Sequence, residues 1–106
     1  MVESTIIATI QKYLAALAHA GIHASKAVLF GSFARGSADV WSDIDLVVIA
    51  PEFDGQKKLG LIETLWQTRV IDSRIEPIPC GEKEWQVDQS RPILEIARRE
   101  GLVITP

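Results

Sequence analysis

Gly31-Ser32 and Asp43-Ile44-Asp45 are the residues of this chain best equipped for chemistry, and ten residues separate the two groups. The first ends an apolar run, KAVLF, and the second opens another, IDLVVI. A glycine lets the backbone turn sharply and approach a ligand closely. Ser32 then offers a hydroxyl and an N–H to a phosphate, and a short helical turn over residues 32–35 would aim further N–H groups at the same anion. Arg35 adds a fork of donors suited to phosphate oxygens. On a strand, Asp43 and Asp45 project to one face about 6.6 Å apart, while Ile44 and Leu46 point to the other. Two carboxylates so placed repel each other unless a cation sits between them. Mg²⁺ suits such a place, with one or two carboxylates, waters and substrate phosphates as ligands. Two ions about 3.5–4 Å apart would activate an attacking oxygen and stabilise a leaving pyrophosphate.

A third carboxylate would complete the set. Glu76, in SRIEPIP, lies inside an apolar segment between Ile75 and Ile78. Asp72 shares its parity but stands beside Ser73 and reads as a turn residue. Glu76 is therefore the expected third acid, with Asp72 as the alternative. Each feature alone has a plainer reading: Gly-Ser ends many strands, and a lone Asp-x-Asp is usually a solvated strand end.

Other phosphate and metal patterns fail. Gly31 and Gly36 have the glycine spacing of a P-loop, but Ser37 and Ala38 stand where Lys and Ser/Thr are required. A calcium loop starting at Asp43 would need glycine at position 48 and glutamate at position 54, which are Val48 and Asp54. His19 and His23 flank Gly21, where a helix should end, and read as ordinary surface residues.

The elements that must position these groups follow from periodicity. Ser4 is a candidate N-cap for a helix carrying Ile6, Ile10, Leu14 and Leu17 on one face, stopped by Gly21. Lys26–Phe30 and Ile44–Ile49 read as buried strands. Lys57–Arg69 reads as a helix with Leu61, Ile62, Leu65 and Trp66 on one face. Val70–Ile78 reads as a third strand, closed by Pro77 and Pro79. Ser90–Arg99 reads as a last helix ended by Gly101, and Leu102–Thr105 as an edge strand. This order predicts an α+β fold, a small sheet with helices packed mainly on one face.

A length of 106 residues predicts one domain, residues 1–106, burying about 65% of its unfolded surface. Hydrophobic content of 47% with 24% charged residues reads as globular and soluble. A net charge of -3 does not favour nucleic acid or an anionic membrane as partner. No apolar run approaches a membrane span and no secretory leader is recognised. The single cysteine, Cys80, fits a reducing cytoplasm, the expected location.

GSFARGSADVWSDIDLVV resembles the signature of the DNA-polymerase-β-like nucleotidyltransferases: Gly-Ser, about ten residues, Asp-x-Asp, then an acidic residue on a later strand. Ala34-Arg35-Gly36 and Ser42-Asp43-Ile44-Asp45-Leu46 look most like the minimal nucleotidyltransferases of prokaryotes. The resemblance implies a two-layer nucleotidyltransferase fold with a small mixed sheet, and that Gly31, Ser32, Arg35 and Ser42 bind the nucleotide, ATP as substrate. It implies that Asp43, Asp45 and Glu76 are catalytic and hold Mg²⁺, with two ions expected. At the third position many relatives carry aspartate, and here Pro77 follows the glutamate. Larger relatives add a helical domain for the acceptor. Small ones are often paired with a separately encoded helical HEPN protein, frequently an RNase toxin. There they act as antitoxins, in some systems by transferring AMP to a tyrosine of the toxin. Two functions are thus expected: a nucleotidyltransferase with a protein acceptor, or a non-catalytic antitoxin that neutralises a helical partner by contact, for which Trp41, Trp66 and Trp85 are candidate anchors. Transfer to a small molecule such as an aminoglycoside is a weaker third reading. A homo-oligomer is left open.

Overall fold

The computed structural model describes residues 3–55, 59–88 and 90–106. Helix α1 (Ser4–His19) leads through Gly21 to strand β1 (Lys26–Phe30). A single helical turn, α2 (Ser32–Arg35), follows, and then β2 (Ile44–Ile49). After a 3₁₀ turn at Pro51–Phe53 come α3 (Leu59–Gln67), a second 3₁₀ turn (Thr68–Ile71) and β3 (Ile75–Cys80). The chain closes with α4 (Glu82–Val87), α5 (Pro92–Glu100) and β4 (Leu102–Ile104). The strands form one mixed sheet in the order β3-β2-β1-β4. β1 pairs antiparallel with β2 and β4, and β2 pairs parallel with β3.

The alternation of side chains along β2 divides the interior. Ile44, Leu46 and Val48 face the larger core, which α1 fills with Ile6, Ile10, Tyr13, Leu14 and Leu17, joined by Leu65 of α3. These α1 residues recur every three or four positions, so one stripe of the helix meets the sheet. Tyr13 is fully buried, and its hydroxyl donates to the Leu65 carbonyl at 2.7 Å. Burial holds its phenol well above the ordinary tyrosine pKa, against a smaller opposing pull from the Arg69 charge. Val47 and Ile49 face the other way, into a smaller core with Val28, Phe30, Cys80, and Leu94 and Ala97 of α5. The expected two-layer packing on mainly one face describes the larger core. The second face carries α5 and Trp85 of α4.

Three expected boundaries are corrected. Val70 and Ile71 lie in a 3₁₀ turn, not in a strand, and β3 starts at Ile75. Pro77 and Pro79 do not close β3 but lie within it. Ile44 N–H donates to Arg74 O and Ala50 N–H to Cys80 O, so even-numbered β3 residues bond β2 and odd-numbered ones face outward. Both prolines therefore occupy positions that owe the sheet no N–H, as edge-strand prolines must. The expected last helix, Ser90–Arg99, is α5, Pro92–Glu100, and a further helix, α4, precedes it. α4 is capped by Asp54, whose carboxylate accepts from the N–H of Glu82 at 3.1 Å and of Lys83 at 3.0 Å. α5 begins at Pro92, a favoured first helical residue. The expected start of the third helix at Lys57 lies outside the described residues.

Candidate active site

The opening residues of β2 and β3 and the end of β1 come level at one end of the sheet. Phe30 is registered against Asp45, and Asp45 against Glu76. Asp45 and Glu76 thus share the face of the smaller core, beyond the point where its apolar side chains stop. Asp43 immediately precedes β2, two positions before Asp45, and is exposed.

Gly31 is the hinge of the site. Its φ of +76° lies in the left-handed region, and a Cβ there would come within 2.2 Å of Asp45 Oδ2. The Asp45 carboxylate therefore sits against the Gly31 backbone. α2 starts at the next residue, and Arg35 N–H donates to Gly31 O at 3.0 Å. The leading N–H groups of so short a turn have no carbonyl four residues behind them. Phe33 and Ala34 anchor the turn by packing on the larger core.

Electrostatics tie the acids together. Partial burial raises the Asp45 pKa first, then the charges of Asp43 and Glu76 raise it further, and Arg35 opposes them. Unrelieved negative charge is thus concentrated at this end of the sheet. All three donors are hard oxygens, the kind Mg²⁺ prefers. Among the described residues no three His, Cys, Asp or Glu side chains converge into a ready metal cage. The donor chemistry fits the ion, and Asp45 and Glu76 are registered neighbours on one face.

The remaining expected residues are engaged locally. Arg35 pairs with Glu100 at the end of α5, at 3.2 Å. Ser42 Oγ accepts from Asp39 N–H at 2.9 Å, and Trp41 N–H donates to Asp39 Oδ1 at 2.8 Å. This knot fixes the loop ahead of Asp43 and leaves Trp41 89% exposed. Asp72 is committed to Arg74, whose guanidinium lies 2.7 Å away, whose N–H it also accepts, and whose hydrogen bond holds the carboxyl below its ordinary pKa. Glu76 instead meets Arg69, Nη2 to Oε1 at 3.6 Å. Arg69 had no signal in the sequence, because it reaches Glu76 from a 3₁₀ turn that the hydrophobic pattern did not reveal. A hollow of about 310 Å³ opens on the α1 side, lined by Glu3, Ile6, Phe33, Asp39, Val40 and Arg74 among others, and none of the expected site residues lines it. Among the histidines, His23 bonds Glu52 at 3.0 Å on the surface, away from the acids.

A mixed sheet that presents Gly-Ser and an Asp-x-Asp at the opening of a strand, all at one end, is the arrangement of the nucleotidyltransferase class. The sequence profile of the nucleotidyltransferase domain family matches residues 10–99, and the chain belongs to that family. Nucleotidyl transfer is the reaction class that goes with it. Among solved structures the chain is similar to a Sulfolobus solfataricus protein described, provisionally, as a nucleotidyltransferase. That likeness has a TM-score of 0.64 at 15% identity and covers 92% of this chain and 77% of the other. At that identity it establishes the fold. No curated protein is close enough in sequence to count as a match. Among the described residues no helix is long and apolar enough to cross a membrane.

Proposed function

We infer that the chain transfers a nucleoside monophosphate, AMP from ATP, to an acceptor hydroxyl in a Mg²⁺-dependent reaction. The observation that carries this reading is the Asp45 carboxylate seated against Gly31, with the charges of Asp43 and Glu76 acting on it. Gly31 and Ser32 receive the triphosphate, and Arg35 supports its charge from the end of α2. Ser42 acts by shaping the loop in front of Asp43. Asp43, Asp45 and Glu76 hold the ions. Bound Mg²⁺ supplies neutralisation of the phosphates and a more acidic acceptor hydroxyl. The acceptor oxygen attacks the α-phosphorus, the bond to the bridging oxygen breaks, and pyrophosphate leaves. Glu76 helps accept the hydroxyl proton.

The acceptor we propose is a tyrosine of a separately encoded helical HEPN-type protein, the chain acting as its antitoxin in the cytoplasm. The resemblance around Ser42–Leu46 supports this subtype. The test is incubation with Mg²⁺, ATP and the product of a neighbouring gene, followed by intact mass spectrometry of that product. A gain of AMP units that disappears with Asp45→Asn is the expected result. No gain, despite a stable complex, would instead favour the second reading, neutralisation by contact. Exposed Val40 and Trp41 beside the site favour that alternative.

A further inference from the structure

Arg69 is the one cation that touches the third carboxylate among the described ion pairs. Its own position is fixed independently of Glu76. Nε donates to Ile75 O at 2.5 Å, Nη2 donates to Ser73 O, and the guanidinium lies over the Trp66 ring, 4.7 Å from its centroid. Two backbone carbonyls and an aromatic face therefore hold the arginine at the β3 edge. Its separation from Glu76, 3.6 Å, exceeds a hydrogen bond, so the glutamate is attracted without being locked. Both side chains are partly exposed, at 26% for Arg69 and 39% for Glu76.

We propose that Arg69 is a positioning residue that serves as a stand-in cation for Glu76: it holds the glutamate at the strand edge in the metal-free protein and cedes it when a divalent ion binds. This rests on the metal-binding reading above. The fixed guanidinium cannot follow Glu76 toward Asp45, so the pair must loosen as the acids gather round an ion. Arg69 thereby weakens cation binding to the free protein while keeping the third acid aimed for turnover.

The test is calorimetric titration of the whole chain with Mn²⁺, without nucleotide, beside thermal unfolding and transfer kinetics. Arg69→Gln removes the charge and should tighten Mn²⁺ binding about 2- to 5-fold, the scale of a partly exposed ion pair. Its kcat should fall while the KM for ATP holds. Arg69→Lys keeps the charge, so its Mn²⁺ affinity should match wild type. Unchanged or weaker Mn²⁺ binding by folded Arg69→Gln overturns the assignment. Absence of Mn²⁺ binding in the wild type overturns the metal reading itself, and this inference with it. Should Arg69→Gln fail to fold, 5-fluorotryptophan protein decides: Mg²⁺ should shift the Trp66 fluorine resonance in the wild type but not in Glu76→Gln. A Trp66 signal that ignores Mg²⁺, or that moves equally in both, overturns the assignment.

Discussion

The two faces of the sheet are built from the same four strands and do different work. On the α1 face every inward position from Ile44 to Val48 is apolar and buried, and a sixteen-residue helix packs its apolar stripe into the same core. On the α5 face the apolar run covers only part of the sheet: Ile49 and Val47 are buried, Asp45 continues the same row half-buried, and Asp43 is exposed just before the strand. One strand thus gives up hydrophobic contact at its opening to place the Asp45 carboxylate. The difference teaches where this small domain can tolerate change. The α1 face holds the fold, and the α5 face surrenders stability at one end for chemistry.

Asp45→Asn should break this division most sharply. Transfer should fall by about 10³-fold or more, since several kcal/mol of ionic stabilisation disappear. Thermal stability should hold or rise, because like-charge repulsion on Asp45 is relieved. Gly31→Ala should damage both properties. Its positive φ and the 2.2 Å approach to Asp45 Oδ2 predict a loss of about 1–3 kcal/mol in chemical denaturation and a displaced carboxylate. Ile10→Ala, in the larger core, should cost about 2–5 kcal/mol yet leave Mn²⁺ affinity unchanged in the folded fraction. Equal losses of metal binding and stability in that variant would erase the contrast between the faces.

Smaller effects sharpen the comparison. Asp72 has its pKa lowered by Arg74, so its contribution to stability is complete above the ordinary value of 3.8 and is lost as pH falls through the lower folded value. Urea midpoints should therefore drop more steeply on acidification in the wild type than in Asp72→Asn. Trp41→Ala should leave stability within about 0.5 kcal/mol, because the ring is 89% exposed. If the same change also leaves complex formation with a helical partner intact, contact through this loop is refuted.

The chemistry-bearing stretch was the most legible part of the sequence. The strands Lys26–Phe30 and Ile44–Ile49 coincide with those read from their β-branched runs, because local propensity, burial and flanking Gly and Pro agree there. The approach of Gly31 to Asp45 follows from that geometry. β3 was misplaced because Val70 and Ile71, the strongest strand formers nearby, are held in a 3₁₀ turn, while the prolines that normally exclude a strand stand at its outer edge. α4 is absent from the sequence reading because its N-cap, Gly81, has no side chain to announce it and Asp54 caps it from afar; the local sign was Glu84, which accepts from Gly81 N–H. The contact between Arg69 and Glu76 crosses such a turn, so spacing alone could not find it.

The outer edge of β3 has a consequence for how this molecule can assemble. Pro77 and Pro79 offer no donor there, Ile75 N–H is already given to Asp72 O, and Arg69 and Arg91 occupy the carbonyls of Ile75 and Pro79. A foreign strand laid along that side would find no backbone donor from Ile75 to Pro79 and two of the three outward carbonyls already taken. The sheet can lengthen only beyond β4, three strands away from Glu76.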